Sequence, residues 1–291
     1  MKKFSFAKMS GAGNDFILFD KKFDPSLLLL PEDIRAVCAR RTGIGADGVL
    51  VIDDHQGYNF SMEYFNADGS TGSLCGNGAR CAIRYAHLMG RDDQNFVKFI
   101  SNGLEYKGEI LDPVNIKFYL NEPYDLNLKM NLKGPGQTIP ASFINTGSPH
   151  AVILINDIRK DAENSFYTDI QEVPVFELGR MIRYLDDFKP GGTNVNFIQL
   201  MGSKVLIRTY ERGVEDETLA CGTGSTAAAL IANLRYDLKP PVKLVTQSGD
   251  ELIVDFQQVD KRFRNVSLSG PAEVTFTGEF YSNKYFNKLE K

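Results

Sequence analysis

The chain has 291 residues, 43% of them hydrophobic and 24% charged, the balance of a soluble globular protein of one large or two smaller domains. A net charge of −4 offers no basic footprint for nucleic acid. Four cysteines in this length make no disulfide scaffold and fit a cytoplasmic protein with free thiols.

The opening stretch MKKFSFAKMSGAGNDF (1–16) lacks the apolar run of a signal peptide. A glycine turn then leads into an apolar strand, GAGNDFILFD (11–20). The four leucines of SLLLLPED (26–33) fall far short of the about 20 residues a membrane span needs. Pro31 and the acids behind it open a helix over PEDIRAVCARR (31–41). A glycine pair leads into a second strand, GIGADGVLVI (43–52), and NFSMEYF (59–65) reads as a third. After Cys75 a helix is expected over Asn77–Met89, with Ala79, Ala82, Ile83 and Ala86 on one face and Gly90 ending it. NIKFYL (115–120) is strand-like, and NLKGPGQTIP (131–140) reads as a linker between halves. Farther on, SKVLIRTY (203–210) and VKLVTQ (242–247) read as strands. STAAALIANL (225–234) is apolar nearly all round and is expected to be a helix buried in its own half. YSNKYFNKLEK (281–291) reads as a polar tail, partly disordered.

Three stations recur in one order. A glycine turn before an apolar strand occurs at 11–20 and in TGSPHAVILIND (146–157). A glycine pair before a strand occurs at 43–52 and in GGTNVNFIQL (191–200). An aromatic-led loop running into a cysteine occurs in YFNADGSTGSLCGNG (64–78) and YERGVEDETLACGTG (210–224). Gly45 precedes Cys75 by 30 residues and Gly192 precedes Cys221 by 29. Such a duplication predicts two structurally similar halves related by a pseudo-two-fold. Strands before and after each central helix suggest a curved sheet wrapped around it.

Each half therefore carries one Cys-Gly-x-Gly unit at the start of a helix. The helix dipole and the first N–H groups favour a thiolate there, below the free value of about 8.5. The same N–H groups suit a carboxylate. Two such units facing each other across a cleft would hold a carboxylate with its α-carbon between two sulfurs. One thiolate could remove the α-proton from one face while the other thiol protonates the opposite face, with N–H donors opposing the growing charge. That is an amino-acid racemase or epimerase needing no cofactor. Buried free cysteine is usually a small hydrophobe, and this is the reading for Cys38 and Cys81; the duplicated context sets Cys75 and Cys221 apart. No C-x2-C pair exists and there are only three histidines, so a structural zinc site is not expected. His150 is a candidate partner for one thiol, although a lone histidine is more often structural. The adjacent Glu211 and Arg212 could grip a zwitterion or simply be a solvated pair. Asn14 and Asn66 sit in corresponding glycine-rich loops, where turn chemistry is the ordinary explanation. GIGADG (43–48) matches G-x-G-x-x-G, but a helix precedes it and a strand follows, the reverse of a dinucleotide site.

KMSGAGNDF (8–16), GIGADG (43–48), FNADGS (65–70), CGNGARC (75–81), GSPHAV (147–152), YERG (210–213) and ACGTGS (220–225) together resemble the ordered motif set of the diaminopimelate epimerase family, over residues 4 to about 278. The resemblance implies an isomerase that interconverts LL- and meso-diaminopimelate toward lysine and peptidoglycan, without cofactor or metal. It implies an α+β fold of two pseudo-symmetric domains, each a curved, mostly antiparallel sheet around a central helix, with the active site in the cleft between them. The expected division is 1–122, joined by a returning strand 271–281, then 123–270 and a polar tail 282–291. By motif position Cys75 and Cys221 would be the acid/base pair, with His150 modulating Cys75 and Glu211 modulating Cys221. Backbone N–H groups at Gly76–Asn77 and Gly222–Thr223 would take the α-carboxylate, and Asn14 the reacting amine. Asn66, Asn194, Glu211 and Arg212 would hold the distal head group. The resemblance implies a homodimer with a small-molecule substrate, and neither a nucleic-acid nor a membrane partner.

This chain departs from the family at two positions. Ser148 stands where Asn is frequent, a shorter distal contact with one hydroxyl. Gly48 stands where some members have Gln, leaving Asp47 or the backbone to take over. Rival readings are a sister racemase acting on another amino acid such as histidine, a non-catalytic amino-acid-binding protein, and a thiol redox protein. The retention of Glu211, Arg212, Asn66 and Asn194 speaks against the first, and a thiol in each half against the second.

Overall fold

The computed structural model describes residues 2–72, 74–160, 165–260 and 262–282. In chain order its elements are β1 (Lys2–Gly11), β2 (Asn14–Asp20), α1 (Pro31–Cys38), β3 (Gly48–His55), β4 (Tyr58–Asn66), α2 (Gly76–Leu88), β5 (Phe96–Ser101), β6 (Leu104–Ile110) and β7 (Asn115–Tyr119). They continue with β8 (Tyr124–Gly134), β9 (Gln137–Asn145), β10 (Pro149–Leu154), α3 (Val175–Arg183), β11 (Asn194–Met201), β12 (Lys204–Glu211), β13 (Asp216–Thr218) and α4 (Gly222–Tyr236). The last are β14 (Val242–Val245), β15 (Glu251–Val259), β16 (Arg262–Pro271) and β17 (Glu273–Ser282). The chain divides into two compact units, one formed by residues 1–118 with the segment from Gly270 onward, the other by Tyr119–Ser269.

In the first unit the strands run β17-β1-β2-β3-β4-β5-β6, and only the β2–β3 and β4–β5 pairs are parallel. In the second unit the order is β8-β9-β10-β11-β12-β14-β15-β16, and only β10–β11 and β12–β14 are parallel. The two successions of directions match over seven strands, with β17 standing in the first unit where β8 stands in the second and β16 added at the end of the second. The sequence repeat is thus a repeat of topology, in an α+β fold of mostly antiparallel, curved sheet.

Period-two burial explains the layering of each half. Ile17, Phe19, Val49 and Val51 pack with Ile34 and Val37 of α1. Phe16 and Leu50, on the alternate face, lie against Gly78 of α2. Strands covered on both faces read as continuous apolar runs, as ILF and VLVI do here. α2 touches β1, β2, β3, β4, β5, β6 and β17, so the sheet wraps around it, and every residue from Gly76 to Ala86 is buried. The second unit repeats this arrangement. Ala151, Ile153, Val195 and Phe197 pack with Val175, Leu178 and Ile182 of α3, while α4 touches β9, β10, β11, β12, β14 and β15.

Several sequence expectations are corrected. Residues 131–140 are no linker: they are the turn of the β8–β9 hairpin inside the second unit, with Gly136 at φ 62°. The first helix stops at Cys38, because Ala39 is extended and Arg40 is drawn onto Asp15 and Asp47. α3 was not expected, being only nine residues long with a glycine at its centre. The tail from 283 to 291 lies outside the described residues. Among the described residues no helix is long and apolar enough to cross a membrane.

Candidate active site

Both Cys-Gly-x-Gly units fold as the sequence dictates. Cys75 is the N-cap residue of α2 with extended backbone (φ −95°, ψ 119°), and Cys221 is the N-cap residue of α4 (φ −122°, ψ 111°). Each carbonyl accepts the first intrahelical bond, from Ala79 N at 2.8 Å and from Ser225 N at 2.8 Å. The first N–H groups of a helix have no partner within it, so each thiol stands beside donors and the positive end of a dipole. Cys75 is half-buried and Cys221 is buried at 7% exposure. Cys38 and Cys81 differ: burial pushes both thiols up to about 12, which leaves them inert as thiolates.

In the first half, Asn77 in the first turn of α2 donates from Nδ2 to Asn14 Oδ1 at 2.6 Å, and Asn14 Nδ2 donates to Asp47 Oδ2 at 3.0 Å. Behind them stands a charged scaffold. Arg40 grips Asp15 through two bonds of 3.0 and 2.8 Å and reaches Asp47 Oδ1 at 2.6 Å. Lys8 binds Asp15 Oδ2 at 2.6 Å and also the carbonyl of Gly45. Burial alone would raise the Asp15 carboxyl, but the hydrogen bonds from Arg40 and Lys8 outweigh it and hold it at about 2. Arg80, fully buried, donates to Asn77 Oδ1 at 3.0 Å, which fixes the orientation of that amide.

The registers Phe16↔Gly48 and Gly48↔Asn66 put Asn66 at the same end of the sheet, where its Nδ2 bonds Ser70 Oγ at 3.0 Å. Gly48 is closely packed there. A Cβ would stand 2.6 Å from the Phe65 carbonyl and 2.8 Å from the Tyr64 ring. Asp47, engaged by Asn14 and Arg40, is thus a support for Asn14.

The second half brings its candidates together in an equivalent row. His150 lies opposite Asn194 in the parallel β10–β11 pair, and Asn194 Oδ1 accepts from the backbone N of Arg212 at 2.9 Å. Asn194 Nδ2 donates to the Pro149 carbonyl at 2.8 Å. Ser148 Oγ lies 2.9 Å from His150 Nε2 and 3.1 Å from Thr223 Oγ1, and Thr223 Oγ1 lies 3.6 Å from Cys221 Sγ. Glu211, half-buried at the end of β12, accepts from Thr218 Oγ1 at 2.8 Å. The turn carrying Arg212 is tied to α3 by Arg183, which binds Glu215 at 3.0 Å. Burial and the nearby Arg212 charge push His150 down to about 3, so it is a neutral imidazole across the physiological range.

Sequence reasoning missed Asn196. Its Nδ2 donates to the Ala151 carbonyl at 2.9 Å and lies 3.2 Å from His150 Nδ1, while its Oδ1 accepts from Thr209 Oγ1 at 3.0 Å. The available signal was NVNF, where two asparagines share one face of an otherwise apolar buried strand. Arg40, Asp15 and Glu215 were missed as well, since ion pairs across 25 or 32 residues leave no local trace.

The family model described as diaminopimelate epimerase matches residues 6–122 and 142–275. The diaminopimelate epimerase of Aquifex aeolicus is 39% identical over 285 residues, covering 94% of this chain and 96% of its own. That of Chlorobaculum tepidum is 38% identical over 273 residues, covering 93% and 98%. Among solved structures, a Bacillus anthracis phenazine biosynthesis protein of the PhzF family superimposes with TM-score 0.69 at 13% identity, covering 97% of this chain and 100% of that one. A hydroxyproline epimerase from Agrobacterium vitis does so with TM-score 0.68 at 11% identity, covering 95% and 92%. These two share the fold. On the family match and the near full-length relatives, the chain belongs to the diaminopimelate epimerase family.

Proposed function

We propose that this protein interconverts LL- and meso-2,6-diaminopimelate without a cofactor, in the supply of lysine and peptidoglycan precursor, with Cys75 and Cys221 as the acid/base pair. One thiolate takes the α-proton and the other thiol delivers a proton to the opposite face; the reverse direction exchanges their roles. Backbone N–H groups at Gly76–Asn77 and Gly222–Thr223 receive the α-carboxylate, whose charge grows as the proton leaves. Asn14 takes the reacting amine, and Asn66, Ser148, Asn194, Glu211 and Arg212 take the distal head group. His150 tunes Cys75, and Glu211 tunes Cys221. We place the enzyme in the cytoplasm as a homodimer.

One observation carries this reading: each half sets a cysteine at the N-cap of the helix its own sheet encloses. A binding module has no need of two such thiols. The test is turnover of LL-diaminopimelate by purified, reduced protein with no added cofactor, followed by chiral chromatography, beside a panel that includes histidine and proline. Meso product from diaminopimelate alone supports the assignment. Inversion of another amino acid in its place moves the protein to a sister racemase, and binding without inversion makes it a carrier.

A further inference from the structure

Family motifs give Ser148 and His150 roles other than toward Cys221 and are silent on Asn196, yet these side chains, on β10, β11 and the residue before β10, converge on Cys221. Asn196, His150 and Ser148 are joined to one another and, through Thr223, to the sulfur. The hydrogens in this chain can be placed by elimination. The Ala151 carbonyl can only accept and takes the Asn196 amide, and the Thr209 hydroxyl donates to Asn196 Oδ1. Asn196 therefore turns its NH2 toward His150 Nδ1. Nδ1 is an acceptor, so the neutral ring carries its hydrogen on Nε2 and donates to Ser148 Oγ at 2.9 Å. Asn194 Nδ2 also points at Ser148 Oγ, from 3.5 Å. Ser148 then has one hydrogen, and Thr223 Oγ1 at 3.1 Å receives it. The Thr223 hydrogen is left for Cys221 Sγ at 3.6 Å.

We infer that Asn196, His150, Ser148 and Thr223 form a one-way chain of donors ending on Cys221, which holds that sulfur as a thiolate ready to accept the α-proton. The inference rests on the proposed epimerase reading and deepens it, by assigning Ser148, His150 and Asn196 as positioning residues for Cys221, in addition to the pairing of His150 with Cys75 that the family resemblance implies. The chain does not conduct protons. Nδ1 is occupied by a donor, so the ring cannot take a proton there without losing Asn196. A proton gained by Cys221 therefore has no exit along this route. Two features hold the chain in place. Thr146 Oγ1 donates to the Thr223 carbonyl at 2.9 Å, and Gly224 leaves room for Asn196, whose Oδ1 would stand 2.4 Å from a Cβ. The charged groups at this end of the half are Glu211 at the end of β12, Arg212 and Glu215 in the turn beyond, and Arg183 at the end of α3. Serine at 148 suits the chain because one hydroxyl oxygen can accept from His150 while its hydrogen passes on to Thr223.

The test is a titration of Cys221 without substrate, in full-length Cys75→Ala protein labelled with carbon-13 at cysteine Cβ and followed by NMR. Ser148→Ala and Thr223→Val should each raise the Cys221 midpoint by about one pH unit or more, while Thr223→Ser, which keeps the hydroxyl, should leave it in place. A midpoint unmoved by Ser148→Ala and by Thr223→Val overturns the chain, and a drop in turnover with that midpoint unmoved would instead put these hydroxyls on the substrate. No amino acid is present in the titration. The chain therefore stands or falls separately from the epimerase reading, which fails only if inversion of diaminopimelate is absent.

Discussion

Asn77 donates its side-chain amide to Asn14 at 2.6 Å, binding the first turn of α2 to the start of β2 in the β1–β2 hairpin. Arg80, 0% exposed, donates to the same Asn77 amide. Asn77 thus orients a proposed substrate ligand and partners a buried guanidinium at once. Asn77→Ala should lower the unfolding free energy by about 2 kcal/mol, the cost of removing a hydrogen bond from a buried charged group, and lower kcat/KM as Asn14 loses its orientation. Urea unfolding beside steady-state kinetics measures both. Wild-type stability in the variant would show that Arg80 finds another partner.

Cys38 and Cys81 serve packing alone on this account. Each Cys→Ala change should cost about 1 kcal/mol of stability, and the double variant should keep its turnover. Thermal melts and the conversion assay decide it, and a loss of turnover in a folded double variant would bring one of these thiols into the chemistry.

Gly224 sits where a Cβ would stand 2.4 Å from Asn196 Oδ1 and 3.3 Å from Cys221 Sγ. Gly224→Ala must displace Asn196 or the first turn of α4. The overpacking should cost about 1–3 kcal/mol, and the displaced Cys221 about 100-fold in turnover. Unchanged kinetics would mean that the position of Asn196 is unimportant to Cys221.

His150 gives a pH signature of known sign. Its folded value, about 3, lies far below the ordinary value for histidine near 6.5. Folding therefore favours the neutral ring. Its contribution is fully present above about pH 6.5 and is lost as pH falls toward the folded value. Relative to His150→Asn, the wild type should lose about 1.4 kcal/mol of stability for each pH unit below that point. Urea unfolding at a series of pH values measures the slope, and parallel curves for the two proteins would contradict a neutral buried His150.

Much of this was legible in the chain. Cys75 and Cys221 stood out because glycine turns, apolar strands and helix starts repeat around them at matched spacing, each signal being local. The apolar runs marked these strands, but nothing in them announced that β2–β3 and β10–β11 pair parallel. Glycine and proline in 131–140 marked a turn correctly but could not say whether it joins two strands or two domains. α3 was hidden by its length and by Gly179, whose place is set by contact with Tyr210. The partners of His150 were out of reach for another reason. Asn196 lies 46 residues away, and only the β10–β11 register, with Asn194 opposite His150, brings it within reach.

The most direct test of two thiols working on one α-carbon is hydrogen exchange. The reduced protein is placed in D2O with LL-diaminopimelate and no added cofactor, and proton NMR and chiral chromatography follow the α-hydrogen and the meso product. The account predicts deuterium at the α-carbon of the meso product as it forms, and loss of inversion in both Cys75→Ala and Cys221→Ala. Inversion that survives either substitution would contradict the two-cysteine mechanism.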